Sequence, residues 1–290
     1  MTKKILVTGA NGQLGSELKV VSKDFEQYRF DFRDRKGFDL SSEKEIKTAL
    51  SSTRYDFIIN AGAYTAVDKA ESDLRTADRV NNKALVHMAK HADPQTKLIH
   101  VSSDYVYHSR GDKPIQEHDS TNPKGVYAIT KLNGENNLLK NRPDALIIRT
   151  SWVYSSFGNN FVKTMLRLGR ERSELNIVSD QYGTPTYARD LAQAIMDIIQ
   201  LDEKKAPWKS GVYNFSNSGL TNWADFAREI FRQAKINCNV GETTTKAYNA
   251  PAPRPLWSMM CKQKIQRDFH LEIHPWKESL RRCLDELGIA

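Results

Sequence analysis

The sequence predicts an α/β protein with a doubly wound parallel sheet and a smaller C-terminal α/β lobe. Short β-rich apolar runs alternate with longer helical patterns, a glycine-rich turn follows the first run, and the rhythm loosens near residue 150. Alternation of this kind is typical of βαβ units, in which helices cover both faces of a parallel sheet. We therefore expect a first lobe over residues 1–150, with some later segments returning to its sheet, and a second lobe over residues 151–290.

The individual elements follow from the spacing of apolar residues. Apolar runs predict strands over residues 4–8, 28–32, 56–60, 97–102 and 145–149 of the first lobe. Helical spacing predicts helices over residues 13–22, 73–91 and 126–139, and another that begins after Ser41. In the second lobe we expect helices over 161–170, 191–200, 221–233 and 276–287, and short strands at 177–178 and 212–215.

Composition excludes several classes of protein. The 290 residues carry 43 basic and 35 acidic side chains, a net charge of +8, but basic and acidic residues are interspersed and no nucleic-acid motif is present. No apolar run approaches the ~18 residues of a membrane span, and the first apolar run is too short for a signal peptide. The three cysteines have neither metal-ligand nor disulfide spacing, so we expect a reducing cytoplasm and no metal site of this kind.

The glycine-rich turn has the pattern GxxGxxG. Gly9, Gly12 and Gly15 lie between the first predicted strand and the first predicted helix, with Asn11, Gln13 and Leu14 between them. Glycines here permit a tight turn and close approach of the backbone to a pyrophosphate, which the helix N-terminus attracts. The first lobe is therefore predicted to be a Rossmann-type, NAD(P)-binding lobe.

The end of the second predicted strand carries groups of both charges. An acid here would bind a ribose hydroxyl and favour NADH, whereas an arginine would bind the 2′-phosphate of NADPH. Asp31, Arg33, Asp34 and Arg35 are all candidates. The residues leave the choice between NADPH and NADH open.

A tyrosine and a lysine predict proton-transfer chemistry. Tyr127 and Lys131 are spaced i, i+4 and share one helix face. Beside a nicotinamide the lysine ammonium would lower the pKa of the phenol, which would then protonate a carbonyl oxygen as hydride arrives. Ser103, at the carboxyl end of the fourth predicted strand, would hydrogen-bond the same oxygen, and Ser102 is the competing hydroxyl.

These residues resemble the extended short-chain dehydrogenase/reductase superfamily, and within it the dTDP-4-dehydrorhamnose reductase family. The similar segments run in the family's order over nearly the whole chain. They are GANGQLG from Gly9, NAGAYTAVDKAE from Asn60, SSDYVY from Ser102, VYAITKLNGE from Val126, RTSWVY from Arg149, DQYGTPTYARDLA from Asp180 and APRP near Arg254.

The resemblance implies reduction of the C4 ketone of dTDP-4-dehydro-L-rhamnose to dTDP-L-rhamnose by NADPH or NADH. Tyr127 would be the proton donor and Lys131 its partner. It also implies further contacts: Gly12, Gln13 and Leu14 at the pyrophosphate, Asp39 and Leu40 near the adenosine, Ala61, Gly62, Ala63 and Tyr64 beside the cofactor, and Ser103, Asp104 and Trp152 at the sugar. Arg254 is the candidate ligand of the substrate's pyrophosphate, although a surface salt bridge would explain it equally well.

The sequence departs from the family at a few positions. Ser103 stands where the family usually has Thr, Gly62 where it usually has Ala, and Trp257 where it often has Asn. Some relatives dimerise through Mg²⁺ held by glutamates; Glu17 is a candidate ligand, but no full set is evident and no metal is assigned. A homodimer is compatible with the resemblance.

The alternatives share the same fold. Another nucleotide-sugar 4-ketoreductase, an epimerase, or a non-catalytic NADP-binding regulatory subunit would carry the same loop. A dehydratase is disfavoured, since it needs a second carboxylate where Tyr105 follows Asp104.

Overall fold

The computed structural model describes residues 2–109, 111–203 and 207–289. Its strands are β1 (Lys3–Thr8), β2 (Tyr28–Arg33), β3 (Phe57–Asn60), β4 (Lys97–Ser103), β5 (Leu146–Thr150), β6 (Val153–Tyr154), β7 (Glu174–Val178), β8 (Tyr182–Gly183), β9 (Thr186–Tyr187), β10 (Gly211–Phe215), β11 (Thr221–Asn222), β12 (Asn239–Thr243) and β13 (Trp257–Ser258). Its α-helices are α1 (Gln13–Val21), α2 (Glu43–Ser52), α3 (Val67–Ala70), α4 (Leu74–Asp78), α5 (Ala84–His91), α6 (Gly125–Asn141), α7 (Phe161–Glu171), α8 (Ala188–Glu203), α9 (Trp223–Gln233), α10 (Thr245–Tyr248), α11 (Gln263–Phe269) and α12 (Trp276–Glu286).

The central sheet has the strand order β10-β5-β4-β3-β1-β2, and every neighbouring pair is parallel. From β1 the chain passes first to β2 on one side and then to β3 on the other. The direction of winding therefore reverses between β1 and β3, and ligands of such sheets bind in the crevice at the carboxyl ends of those strands. The predicted doubly wound sheet is confirmed.

The sheet is covered on both faces, because successive side chains of a strand point to opposite sides. Ile5 and Val7 pack in an apolar cluster with residues of α1 and α8, whereas Leu6 packs in another cluster with residues of α2 and α5. All three side chains are fully buried. This double burial explains the nearly continuous apolar character of the strands.

The later part of the chain builds a separate apolar cluster from α7, α9 and α12, in which Phe226, Leu280 and Leu284 are fully buried. Strand β10 belongs to the central sheet, where Val212 aligns with Ile147 of β5. The division of the chain near residue 150 stays a prediction. Within the described ranges, no helix has the length and apolarity needed to cross a membrane.

The helix predicted over residues 73–91 is interrupted by a π-helical turn, Arg79–Lys83. Its wider winding lets the Asn81 side chain bond the backbone of Tyr64 and the hydroxyl of Thr130. Helix α6 lies directly against this turn: a Cβ on Gly134 would come within 2.1 Å of the Asn81 carbonyl oxygen. The apolar periodicity gives no signal for this, since a π turn inserts only one extra residue per turn.

Candidate active site

The glycine loop brings β1, β3 and α1 into close contact. Gly9 has a φ of +67°, and a Cβ there would lie 2.6 Å from the Gly62 Cα atom. A Cβ on Gly15 would lie 2.3 Å from the Gly9 carbonyl oxygen. Helix α1 begins after Gly12, and no side chain of the described residues caps it. Its first N–H groups therefore face the crevice with the positive end of the helix dipole, as a pyrophosphate site requires.

A cleft of about 470 Å³ opens at this point. It brings together ten of the predicted cofactor residues: Gly9, Asn11, Gly12, Gln13, Leu14, Ala61, Gly62, Ala63, Tyr127 and Lys131. The Ser102 hydroxyl also lines the cleft, and it is buried without a hydrogen-bond partner among the described residues. The loop geometry and this unsatisfied hydroxyl fit a nicotinamide dinucleotide.

The other predicted cofactor residues, Gly15, Asp39, Leu40 and Tyr64, are not among the residues that line the cleft. Leu40 is buried, and a Cβ on Gly62 would lie 2.6 Å from its Cδ1 atom. Asp39 accepts hydrogen bonds from the backbone and hydroxyl of Ser41, so it shapes the turn that leads into α2. The Tyr64 hydroxyl donates to Asp73 at 3.2 Å. Gly15 contributes close packing rather than a cleft surface.

A second cavity, of about 530 Å³, adjoins the end of β2. Asp31 accepts two hydrogen bonds from Arg33, at 3.0 and 2.9 Å, and one from the Tyr55 hydroxyl, at 2.5 Å. Asp34 accepts a bond from the Asn11 amide. Both charge types therefore face the predicted 2′-position, where Arg33 is already paired with an acid.

Tyr127 and Ser103 meet at the carboxyl end of β4. A hydrogen bond from Ser103 lowers the pKa of Tyr127, but loss of water around the phenol outweighs it and, with the charge of Asp104, raises the pKa to about 12. The predicted lowering of this pKa by the Lys131 ammonium beside a bound nicotinamide stays a prediction. Ser103 also accepts from the Tyr105 N–H and lies 3.0 Å from an Asp104 oxygen.

Lys131 lies one helical turn after Tyr127 and is only 1% exposed. Its Nζ atom donates to the Val101 carbonyl at 2.8 Å and lies 3.1 Å from His100 Nε2. Burial lowers the pKa of Lys131 to about 8, while the carboxylate of Glu135 opposes the shift. The amine is thus held at the floor of the cleft by the strand behind it.

Among the predicted substrate residues, Ser103 follows Ser102 of the cleft wall and contacts Tyr127, whereas Asp104, Trp152 and Arg254 are not among the residues that line the cleft. Asp104 is buried, which raises its pKa to about 6 against hydrogen bonds from Ser258 and Ser103. Its Oδ2 atom has no hydrogen-bond partner in the described part of the chain. An unsatisfied buried acceptor of this kind suits a ligand hydroxyl.

Trp152 has a φ of +48°, an uncommon value for a bulky residue, at the end of β5. Its ring stacks on Trp223 with centroids 3.7 Å apart and planes 14° apart. A Cβ on Gly183 would come within 3.0 Å of the Trp152 ring, so the ring would have to shift by a few tenths of an ångström to accept a larger residue there. The strained backbone and the stacking together fix an aromatic surface at the predicted sugar position.

Arg254 forms a bidentate ion pair with Asp68, with both nitrogen–oxygen distances at 2.7 Å. Asp68 also accepts from the Ala252 N–H, so it fixes the connector that carries Arg254. The field of Arg254 reaches Tyr105, whose ring packs edge-on against Tyr127 at 5.4 Å. Arg254 therefore forms the salt bridge that was the alternative explanation for it. Its contact with the pyrophosphate of the substrate stays a prediction.

Glu17 does not fit a metal site. Its carboxylate is fully buried and accepts from the Ser155 hydroxyl at 2.6 Å and from the Arg189 guanidinium. The negative charge is thus already neutralised within the chain. In the described residues, a cluster with metal-ligand atoms close together occurs only at Glu43, His87 and His91, on α2 and α5 rather than in the cleft.

Sequence reasoning missed Asn60, His100 and Trp223. The signal for the first two was available: each is a polar residue inside an otherwise apolar run, FIIN and KLIHVS. A polar side chain buried in a parallel sheet needs a partner, so it marks a network. Trp223 gave no signal, because its stacking depends on how α9 packs against the end of β5.

The glycine loop at the reversal point of the sheet, with Tyr127 and Lys131 on one helix face beside it, defines the class of the extended short-chain dehydrogenases/reductases. A family model described as the RmlD substrate binding domain matches residues 3–289. The chain therefore belongs to the RmlD family.

Its relatives include proteins named dTDP-4-dehydrorhamnose reductase. The dTDP-4-dehydrorhamnose reductase of Escherichia coli (strain K12) is 40% identical over 294 residues, covering 98% of this chain and 97% of the relative. That of Salmonella typhimurium is 39% identical over 298 residues, with coverage of 98% and 97%. The crystal structure of dTDP-4-dehydrorhamnose reductase from Bacillus anthracis in complex with NADP has a TM-score of 0.92 at 33% identity, covering 99% of this chain and 100% of that one.

Proposed function

We propose that this protein reduces the C4 ketone of dTDP-4-dehydro-L-rhamnose to dTDP-L-rhamnose with NADPH or NADH. The observation that carries the proposal is that Tyr127 and Lys131 line the cleft formed by the glycine loop, with Ser103 in hydrogen-bond contact with Tyr127. Membership of the RmlD family, and relatives named dTDP-4-dehydrorhamnose reductase over the same length, support this substrate.

The coenzyme, when bound, supplies the hydride that the ketone carbon accepts. Tyr127 delivers the proton to the ketone oxygen, and its pKa of about 12 keeps the phenol protonated at neutral pH. Ser103 hydrogen-bonds the phenol and aligns the ketone oxygen. Lys131, as an ammonium, stabilises the tyrosinate left behind and binds the nicotinamide ribose.

The other groups hold the substrate. Asp104 offers a buried carboxylate oxygen to a sugar hydroxyl, and Trp152 provides an aromatic face for the sugar ring. Arg254 would bind the pyrophosphate of the substrate. Asp68 binds one edge of the Arg254 guanidinium and leaves the N–H groups of another edge free to bind a phosphate. The ion pair therefore orients the guanidinium as well as balancing its charge.

The test is direct. The purified protein is incubated with dTDP-4-dehydro-L-rhamnose and, separately, NADPH or NADH, while the absorbance of the reduced nicotinamide is followed and the configuration of the product at C4 is determined. Consumption of one reduced coenzyme per sugar supports the proposal. A redox-neutral change of configuration would indicate an epimerase, and coenzyme binding without turnover would indicate a regulatory subunit.

Two further expectations accompany this function. A cytoplasmic location agrees with three cysteines that are all unpaired. A homodimer remains a proposal, which sedimentation of the purified protein tests. Because the Glu17 carboxylate is already paired with Arg189, we do not expect the mass of the protein in sedimentation to depend on Mg²⁺.

A further inference from the structure

A row of buried polar groups leads across the sheet to Lys131. Thr8, Asn60 and His100 align with one another across β1, β3 and β4, and none is more than 2% exposed. The Thr8 hydroxyl donates to Asn60 Oδ1 at 2.6 Å, and Asn60 Nδ2 lies 3.0 Å from His100 Nδ1. His100 Nε2 then lies 3.1 Å from Lys131 Nζ. The amine therefore has an imidazole as its inward partner.

The hydrogen bonds assign the proton of this imidazole. The Gly62 N–H lies 3.3 Å from Asn60 Oδ1, and a backbone N–H can only donate. The amide oxygen of Asn60 must therefore face Gly62, and its NH₂ group must face His100. Since an amide NH₂ can also only donate, His100 Nδ1 is the acceptor, and a neutral ring carries its proton on Nε2.

This tautomer conflicts with a charged lysine. The His100 Nε2–H points at Lys131 Nζ, and an ammonium has no lone pair with which to accept it. Only the uncharged amine satisfies both atoms, while its own N–H can still donate to the Val101 carbonyl. Burial holds the pKa of His100 well below its ordinary value, so the ring stays neutral even beside an uncharged amine.

The charges around the amine do not remove this conflict. In the described residues, the charged group that favours the ammonium of Lys131 is Glu135, on the same helix. Its carboxylate is bound by the Arg149 guanidinium, with the shortest contact at 2.6 Å, which offsets much of its field. Tyr127, on the same helix, is a neutral phenol, and Asp104 lies beside Ser103.

We propose that the Asn60–His100 pair holds Lys131 as an uncharged amine in the free protein, and that binding of reduced coenzyme is coupled to uptake of one proton from solvent at this side chain. The identity of the coenzyme and the role of Lys131 rest on the proposed function. Lys131 lines the cleft, where ribose hydroxyl oxygens would accept hydrogen bonds from an ammonium. His100 is thus a positioning residue that acts through Lys131.

The experiment counts protons. Binding of NADPH is measured by titration calorimetry in buffers with different ionisation enthalpies, between about pH 7.5 and about pH 9.5, the range around a lysine with a lowered pKa. We expect uptake by the natural protein to be small at about pH 7.5, where much of the free amine is still protonated, and to approach about one proton per chain towards about pH 9.5. Lys131→Met gives the baseline, including any titration of NADPH itself.

Two variants should let Lys131 be an ammonium in the free protein, because each gives its Nζ atom a hydrogen-bond acceptor in place of the His100 Nε2–H group. Asn60→Asp offers a carboxylate that accepts from His100 Nδ1–H, so the Nε2 lone pair turns to the lysine. His100→Asn offers an amide oxygen to the ammonium. In both variants Lys131 is charged before coenzyme binds, and we expect uptake to fall below half of the natural value. Thr8→Val is the matched control, because Gly62 still fixes the Asn60 amide and uptake should be unchanged.

The outcomes separate this inference from the proposed function. The inference is overturned if the natural protein takes up no more protons than Lys131→Met. It is also overturned if proton uptake in Asn60→Asp is unchanged. Both outcomes can be read even if His100→Asn does not fold. Tight coenzyme binding without proton uptake, together with normal sugar reduction, overturns the inference alone. Proton uptake as expected without sugar reduction supports the inference and overturns the proposed substrate.

Discussion

Glu135 and Arg149 form a buried ion pair between α6 and β5. The Glu135 side chain is 1% exposed and the Arg149 side chain 6%, and two nitrogens of the guanidinium donate to the carboxylate. Helix α6 also carries Tyr127 and Lys131. The pair therefore fixes the catalytic helix against the strand whose end carries Trp152.

Breaking this pair should destabilise the protein strongly. Glu135→Met leaves the Arg149 charge buried without its partner, which costs about 3–5 kcal/mol in comparable sites. Urea unfolding measures the change. The double variant Glu135→Met/Arg149→Met is the control, because it removes both charges and should recover most of the loss. Equal stability of the single and double variants would contradict this explanation.

Tyr127→Phe tests the proton donor. The variant retains the ring and its packing but has no proton to give, so turnover should fall at least ~100-fold, the usual scale of general acid catalysis. Coenzyme affinity and the unfolding midpoint should change little. Tyr213→Phe is the control, since its hydroxyl bonds Asp268 rather than a cleft residue. Near-natural turnover of Tyr127→Phe would refute the assigned role.

The sequence motifs predicted those parts of the site that are local in the chain. The GxxGxxG turn and the i, i+4 spacing of Tyr127 and Lys131 each depend on a few consecutive residues, and the structure has both in the expected elements. His100 is different, because its contact with Lys131 depends on the register of neighbouring strands and on a helix packed above them. No single segment carries that information.

One short strand of the later part of the chain escaped prediction for a related reason. Strand β12 (Asn239–Thr243) reads NVGET, with little apolar or alternating character, and it forms by pairing with β7. Its partner, not its own sequence, determines its conformation. The raised pKa of Tyr127 could not be predicted either, since spacing along a helix says nothing about how much water remains around a phenol.

Gly15→Ala tests the close packing of the glycine loop. The added Cβ would lie 2.3 Å from the Gly9 carbonyl and 2.6 Å from the Ala10 Cα, both backbone atoms that must move. We expect a loss of about 1–3 kcal/mol in unfolding free energy, as for other overpacked sites, and weaker coenzyme binding because the loop shifts. Urea unfolding and NADPH titration measure the two effects.

Gly111→Ala is the control for that change. Its added Cβ would meet only the Ser109 hydroxyl, at an ordinary distance of 3.5 Å. Stability and NADPH affinity should both stay near those of the natural protein. If Gly15→Ala behaved like this control, the loop would be looser than its contacts imply.

Asp104 should make stability depend on pH in an unusual direction. Burial raises its pKa from 3.8 to about 6, so between these values the folded protein binds more protons at this site than the unfolded chain. Its contribution to stability is therefore full below about pH 4 and is lost as the pH rises through 6, whereas most carboxylates stabilise on ionisation. The difference corresponds to about 3 kcal/mol.

Asp104→Asn isolates this effect, because it removes the titration while keeping the shape. The unfolding free energy of the variant minus that of the natural protein should grow by about 2 kcal/mol between about pH 4 and about pH 6, the larger part of the full difference. Other carboxylates, such as Asp31 and Asp68, have lowered pKa values and act in the opposite direction, but they cancel in this difference. A difference that stays constant across this range would show that Asp104 is ionised in the folded protein at pH 4.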